Sequence, residues 1–253
     1  MERTRRDVLG LAGVSVTALT AGCLDDTDST TDMPVDRPSE TPTDQSFETP
    51  ADPVTDGQLP AGLERVDEPP YEITVPECEV PKTPTPSERD DLYLCANMPA
   101  EPSLSFEQAS ARGSVLADAG LELGDQTNSE LFATLLTKAA DRDRLSDDVV
   151  GDPGELIAET AFDTHAVLVV ETGWGSGSVY PHIKRVEATD TGVRAFGCHS
   201  DPCVQTADYS SRTAAVHFEQ PDTLETGVVS LTVAPDERWN AATGEGVVAI
   251  PDR

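Results

Sequence analysis

The chain has 253 residues, of which 47 are acidic and 17 are basic, so its formal net charge is −30. This charge excludes nucleic acid as a partner, because phosphate binding requires a basic face, and it excludes electrostatic docking onto anionic lipid. The acidic residues are spread along the chain, which is typical of a halophilic protein. At about 1 M salt the screening length is about 3 Å, so the mutual repulsion of these residues is largely removed.

The first 23 residues have the order of an export signal: two arginines, a short apolar run and a small-residue cleavage site. The apolar run, residues 8–19, rises about 18 Å as a helix, which is too short for a hydrocarbon core of about 30 Å. Arg5 and Arg6, followed by Val8-Leu9, resemble a twin-arginine (Tat) signal. The tetrad Thr20-Ala21-Gly22-Cys23 resembles the lipobox of haloarchaeal lipoproteins.

This resemblance implies Tat export of the already folded protein and removal of residues 1–22 as a signal peptide. It also implies a lipid on Cys23, which would anchor the protein in the membrane at the extracellular face of the cell.

Residues 23–59 are predicted to form a disordered acidic stalk. The segment consists largely of acidic residues, prolines and threonines and has few apolar side chains to bury. Ordering its backbone would therefore cost conformational entropy that burial could not offset. As a flexible coil the stalk would span about 30–36 Å and hold a globular head, residues 60–253, away from the membrane surface.

The head is predicted to be α+β. Strands are expected at 71–75 and 92–95, on either side of a proline-rich loop. Capping patterns then predict short helices beginning near Ser105, Thr127 and Asp152, and the second of these has an apolar stripe at helical spacing.

After residue 162 the sequence pattern becomes β. The apolar run 165–171 is typical of a strand buried on both faces. Further strands are predicted at 179–187, 193–198, 213–219, 228–233 and 247–250. Short turns between them favour antiparallel pairing, and we expect an antiparallel sheet that forms a sandwich or an open barrel.

Apart from Cys23, the chain has four cysteines, Cys78, Cys95, Cys198 and Cys203. An even number in an exported protein indicates disulfides. Three connectivities are possible, and closeness in the sequence favours 78–95 and 198–203. The alternative is a metal site at Cys198, His199 and Cys203, but the C-x4-C spacing differs from that of zinc knuckles and no second cluster accompanies it. We expect neither a metal nor a cofactor.

Recognisable catalytic motifs are absent from the sequence. The glycines at 173, 175 and 177 lack the third glycine of a dinucleotide fingerprint, and a β pattern follows them rather than a helix. Ser176 and Ser178 are not in a nucleophile elbow. The histidines, at 165, 182, 199 and 217, are isolated in the sequence. We therefore expect a head that is not an enzyme, with an unrecognised hydrolase as an alternative.

The strand 165–171 leads into Gly173-Trp174-Gly175-Ser176-Gly177-Ser178-Val179-Tyr180 and then into a second strand. Over residues 162–187 this resembles the PrcB C-terminal family, in which the loop has a Thr-Gly-Gly-Tyr core. Only the glycines and Tyr180 match that core. The family is associated with protease complexes and is similar to chagasin-like inhibitors, whose loops fill a protease cleft.

This resemblance implies an interaction loop at 173–180 whose aromatic anchors would be Trp174 and Tyr180. Its candidate contact residues are Gly173, Trp174, Gly175, Ser176, Gly177 and Tyr180. From the residues alone, the alternative is a wide hairpin with Trp174 packed onto the sheet.

Two non-enzymatic functions follow from these observations. The first is a lipid-anchored extracellular domain whose loops bind a protein or a small ligand, and the second is a protease-inhibitor-like module acting through 173–180. The expected partners are the membrane, through the lipid on Cys23, and an extracellular protein. The sequence leaves the identity of the ligand and the oligomeric state open.

Overall fold

The structure is a computed structural model that describes residues 54–55, 59, 65–76, 92–101, 103–121, 129–147 and 152–250. The predicted signal peptide, the lipidation residue Cys23, most of the predicted stalk and Cys78 lie outside the described residues. Residues from Pro50 to Arg253 form one compact unit. In the part of the chain that is described, no helix is both long and apolar enough to cross a bilayer.

The described residues form strands for the most part, with few and short helices. The helical elements are the 3-10 helix Ala139–Arg144 and the α-helix α1, Asp152–Glu159. The strands in chain order are β1 Val54–Thr55, β2 Phe106–Arg112, β3 Ser129–Leu136, β4 His165–Trp174, β5 Pro181–Thr189, β6 Gly192–His199, β7 Ser210–Glu219, β8 Thr226–Ala234, β9 Glu237–Ala242 and β10 Val247–Ile250.

Two sheets pack face to face, which confirms the predicted α+β class in its sandwich form. One sheet has the order β1-β10-β3-β4-β7-β2 and the other β5-β6-β8-β9. Neighbouring strands are antiparallel except for the pairs β1–β10 and β6–β8, which are parallel. The β6–β8 pair is parallel because the chain leaves the second sheet after β6, runs through the first sheet as β7 and then returns.

The strand β4 lies at the centre of the core and is buried on both faces, as its apolar run predicts. Ala166, Leu168 and Val170 face the second sheet, and Val167 and Val169 face a smaller apolar cluster to which α1 contributes. Fully burying a valine or leucine side chain contributes about 1.5–3 kcal/mol. The sandwich is therefore built around this strand.

The helices predicted near Ser105 and Thr127 are wrong, whereas the helix beginning at Asp152 is confirmed as α1. The first two segments are the strands β2 and β3. In β3, Leu131 packs between the sheets while Phe132 packs against the opposite face of its sheet. A short strand that is apolar on both faces has the same pattern as a helical stripe, so the periodicity alone could not separate them.

The strands predicted at 71–75 and 92–95 are also wrong, because both segments lie outside the sheets: 71–75 has no regular secondary structure, and 92–95 is the beginning of a series of turns. The Thr74 N–H donates to the Leu94 carbonyl over 2.9 Å, and Tyr93 forms one isolated bridge with Ser200. Residues 65–76 cover polar side chains on the second sheet. Among these, Asn240 donates its amide to the Val66 carbonyl over 3.1 Å.

The sequence patterns did not predict the strands β9 and β1. The strand β9 has the polar sequence Glu-Arg-Trp-Asn-Ala-Ala, which has no regular apolar alternation. The strand β1 lies inside the segment 23–59 that was predicted as stalk, and Val54 and Thr55 pair with Val248 and Ala249. The first strand of the sheet therefore lies before residue 60. The prolines and acidic residues around it predicted disorder instead of a strand.

Candidate functional site

One end of the sandwich gathers most of the residues that the sequence singled out. At this end β4, β6 and β8 finish and β5, β7 and β9 begin. Two connections cross it. The glycine loop, residues 175–180, joins β4 to β5, and the cysteine loop, residues 200–209, joins β6 to β7.

Hydrogen bonds join the glycine loop to the cysteine loop. The Gly177 N–H donates to Asp208 Oδ1 over 3.2 Å, and the Thr206 N–H donates to Ser178 Oγ over 3.2 Å. Hydrogen bonds from Thr206, Gly177 and Ser210 lower the pKa of the Asp208 carboxyl group. The carboxylate therefore fixes both loops to the first residue of β7.

Gly177 is required by the close approach of these groups. A Cβ atom at this position would collide with the Asp208 carboxylate and lie 3.0 Å from Ser210 Oγ and 3.1 Å from Arg212 Nη2. At Gly175 a Cβ atom would meet no described residue within 4 Å. The two glycines of the loop thus have different roles, since only Gly177 admits the neighbouring side chains.

The aromatic residues at 174 and 180 do not project from the loop. Trp174 is half-buried between the sheets, with its ring centroid 5.1 Å from that of His199 and 5.3 Å from that of Trp239. The Tyr180 ring lies 4.6 Å from the guanidinium carbon of Arg212, which is completely buried. Among the six candidate contact residues at 173–180, Gly175 is the exposed one.

The cysteine loop, in contrast, presents its middle to solvent. Residues 203–208 are all exposed, and Val204 keeps 65% of its surface accessible. Its first residues are held in place: the Ser200 N–H donates to the Tyr180 carbonyl over 3.0 Å, and the Asp201 N–H donates to the Leu92 carbonyl over 2.7 Å. Cys203 is disulfide-bonded to a partner outside the described residues.

The predicted disulfide pairs are wrong. Cys95 bonds to Cys198, across 103 residues of sequence, and ties the segment 92–96 to the end of β6. Cys198 is fully buried in that strand whereas Cys203 is exposed in the loop, so their closeness in the sequence does not bring them together. The alternative metal site at Cys198, His199 and Cys203 is wrong as well, because both thiols are used in disulfides.

A small pocket opens between the glycine loop, the cysteine loop and the end of β8. We call it the tryptophan pocket, and its volume is about 130 Å³. Its lining is mostly apolar and includes Leu94, Trp174, Val179 and Val233, whereas its polar residues are Ser200, Asp201 and Gln205. The Gln205 amide donates to Asp201 Oδ1 over 3.1 Å, which holds the carboxylate in place.

His199 is a packing residue beside Trp174. It is 1% exposed, neither ring nitrogen has a hydrogen-bond partner among the described residues, and burial lowers its pKa to about 3. The ring is therefore neutral at neutral pH. It lacks the hydrogen-bonded neighbours that a general base uses to activate a nucleophile.

The other histidines lie away from the tryptophan pocket. His165 and His217 are stacked on neighbouring strands with ring centroids 4.6 Å apart, at the opposite ends of β4 and β7. His182 stacks on Tyr93 at 4.2 Å. Residues 165 and 217, isolated in the sequence, are thus brought together by strand pairing. In the described ranges no group of three or more His, Cys, Asp or Glu is arranged to hold a metal ion.

A buried carboxylate supports this end of the sandwich from the outer face of β4. Glu171 has no exposed surface and accepts hydrogen bonds from the backbone N–H groups of Leu121, over 2.9 Å, and Val115, over 3.3 Å. Burial raises the pKa of Glu171, although the hydrogen bonds that it accepts oppose the shift. The residue fixes the connection 113–121 against the sheet.

Comparisons with known proteins identify no relative: no family model, no curated protein and no solved structure matches the chain.

Proposed function

We propose that the protein is a lipid-anchored extracellular binding domain that engages a protein partner at the tryptophan pocket. The observation that carries this proposal is a small apolar pocket bordered by a rigid, exposed loop. The anchor and the compartment rest on the twin-arginine pattern and on the lipobox ending at Cys23.

The size of the pocket favours a protein over a small molecule. Sites for small organic ligands commonly measure about 300–1,000 Å³, more than twice the 130 Å³ available here. A cavity of about 150 Å³ admits a benzene ring, so this pocket is suited to one side chain. A single side chain in an apolar pocket is how an anchor residue of a protein interface is bound.

The rigidity of the two loops supports the same function. The cysteine loop is held by a disulfide at Cys203 and by the backbone hydrogen bonds of Ser200 and Asp201, and Asp208 joins it to the glycine loop. A loop that is already ordered loses little conformational entropy on binding. The binding surface is therefore preorganised.

One exposed apolar residue is the sequence neighbour of a pocket residue. In the described part of the chain, the large hydrophobic residues with exposed side chains are Val75 and Val204. Val204 directly precedes Gln205, which lines the pocket. On a strongly acidic surface, an exposed apolar group in a loop that lines an apolar pocket is suited to an interface.

The other two functions have less support. Inhibition of a protease through 173–180 would require an exposed loop, and most of that segment packs against the cysteine loop or inside the sandwich. For a hydrolase, the histidine beside Trp174 of the pocket, His199, has no hydrogen-bond partner for its ring within the described residues.

Site-specific photo-cross-linking on intact cells tests the proposal. The full-length chain would carry p-benzoylphenylalanine in place of Val204 or, as a control, in place of exposed Asp222 at the opposite end of the sandwich. We expect a discrete protein adduct from position 204 and none from 222. Adding Ala234→Phe, which fills the pocket, should reduce the adduct. Equal yields from both positions, or no adduct from 204, would contradict the proposal.

A further inference from the structure

The tryptophan pocket is apolar at its floor and polar at its mouth. Leu94, Val179 and Val233 are at most 5% exposed and form the buried part of the lining. Asp201 is half-buried and Gln205 is exposed, so these two residues lie where the pocket meets solvent. An occupant therefore needs an apolar part that fills the floor and a polar end that lies beside Asp201 and Gln205.

The polar groups at the mouth include two acceptor atoms that the described part of the protein does not use. Gln205 Nε2 donates to Asp201 Oδ1 over 3.1 Å, which orients both side chains. The amide oxygen of Gln205 and the second carboxylate oxygen of Asp201, Oδ2, make no hydrogen bond to a described residue. Because an ionised carboxylate only accepts hydrogen bonds, the polar end of an occupant has to be a donor.

The charge of Asp201 favours a cationic donor. Among the described residues that line the pocket, Asp201 is the one with an ionisable side chain, and it forms no ion pair with a described basic residue. The lining residue Pro235 is followed by exposed Asp236, which adds a second acidic residue to this end of the sandwich. In molar salt the screening length is about 3 Å, so a cation has to be in contact with the carboxylate to be stabilised by it.

On the basis of the proposed function, we propose that the anchor residue of the partner is an arginine. Its methylene groups would pack against the apolar floor, and its guanidinium group would donate to the Asp201 carboxylate and the Gln205 amide oxygen. A guanidinium group suits this mouth better than an ammonium group, because it presents several N–H groups in one plane and is less strongly hydrated. Trp174 adds an aromatic ring to the lining, with which a guanidinium group interacts favourably.

Capped amino acids test this assignment with the full-length protein in molar KCl. The probes are N-acetylarginine amide, N-acetyllysine amide and N-acetylnorleucine amide, whose side chain is unbranched and uncharged. Binding is followed through the indole N–H signal of Trp174 by heteronuclear NMR. We expect a saturable shift with the arginine probe and a dissociation constant about ten-fold or more below that of the norleucine probe, with the lysine probe between them.

Variants of Asp201 separate the effect of charge from that of shape. Asp201→Asn keeps the size of the side chain and should weaken arginine binding about ten-fold or more, without a change in norleucine binding. Asp201→Glu keeps the charge and should retain the preference for arginine. Asp222→Asn, at an exposed position at the opposite end of the sandwich, should have no effect. Ala234→Phe fills the pocket and should abolish binding of all three probes.

Four results would overturn the arginine anchor: no saturable binding of the arginine probe, equal affinity for arginine and norleucine, tighter binding of lysine than of arginine, or an equal effect of Asp201→Asn on the arginine and norleucine probes. A discrete photo-adduct from position 204 alongside any of them would leave the proposed function standing. The absence of that adduct, with arginine binding as expected, would overturn the protein partner but not the preference of the pocket for arginine.

Discussion

Replacing Glu171 with glutamine should destabilise the protein by an amount that depends on pH. The carboxylate is completely buried, and its oxygens accept hydrogen bonds from the N–H groups of Leu121 and Val115. Glutamine keeps the shape but has one carbonyl oxygen, so one buried N–H loses its acceptor and faces an amide NH2. Leaving a buried N–H without an acceptor costs about 1–3 kcal/mol, so we expect Glu171→Gln to lower the free energy of unfolding by an amount in that range.

The pH dependence follows from the raised pKa of Glu171. The folded protein binds this proton more tightly than the unfolded chain, whose glutamate titrates near 4.5. The contribution of Glu171 to stability is therefore largest below pH 4.5, and it falls as the pH rises from there through the folded-state pKa. Glutamine does not titrate, so the advantage of the wild type over Glu171→Gln should shrink over that interval and then stay constant.

Urea unfolding in molar KCl measures this effect. The two tryptophans of the chain, Trp174 and Trp239, lie in contact in the core and report the transition by fluorescence. Glu159→Gln, an exposed replacement at the end of α1, serves as the control and should change stability by less than about 0.5 kcal/mol. A difference between wild type and Glu171→Gln that is independent of pH, or that grows as the pH rises, would refute the reasoning.

Three further predictions concern the disulfide, the glycine loop and salt. Replacing Cys95 and Cys198 together by serine should lower the free energy of unfolding by about 4–5 kcal/mol, because the bond closes a loop of about 100 residues. Peptide mapping that finds Cys198 bonded to Cys203 would contradict this pairing. Gly177→Ala should cost about 1–3 kcal/mol by overpacking in thermal unfolding, whereas Gly175→Ala, which meets open space, should be nearly neutral. An equal effect of both would show that close packing does not explain Gly177. Lowering KCl from the molar to the millimolar range should unfold the protein through charge repulsion. A circular dichroism spectrum that does not change would exclude salt dependence.

The second half of the fold could be predicted from the sequence because local patterns and tertiary structure agree there. The buried run of β4, the capping residues of α1 and the turns between β5, β6, β7 and β8 are all local signals. In β2 and β3 the local signals resemble those of helices. These helix-like patterns are overridden because β2 pairs with β7 and β3 pairs with β4 and β10. Such long-range pairing has no local signature in the sequence.

The site was less predictable than the fold. Trp174 stood out in the sequence, but the pocket beside it is completed by Leu94, Asp201 and Val233, from segments that are far apart in the chain. The pairing of Cys95 with Cys198 depends on the same assembly. These features depend on topology, and a single sequence does not reveal topology.

Intact-mass analysis of the protein from native membranes tests most directly whether this is a tethered domain that acts outside the cell. We expect a species that lacks residues 1–22 and carries a lipid on Cys23. An unprocessed chain that begins at Met1 and is recovered from the cytosol would contradict the anchor, the compartment and the proposed extracellular partner together.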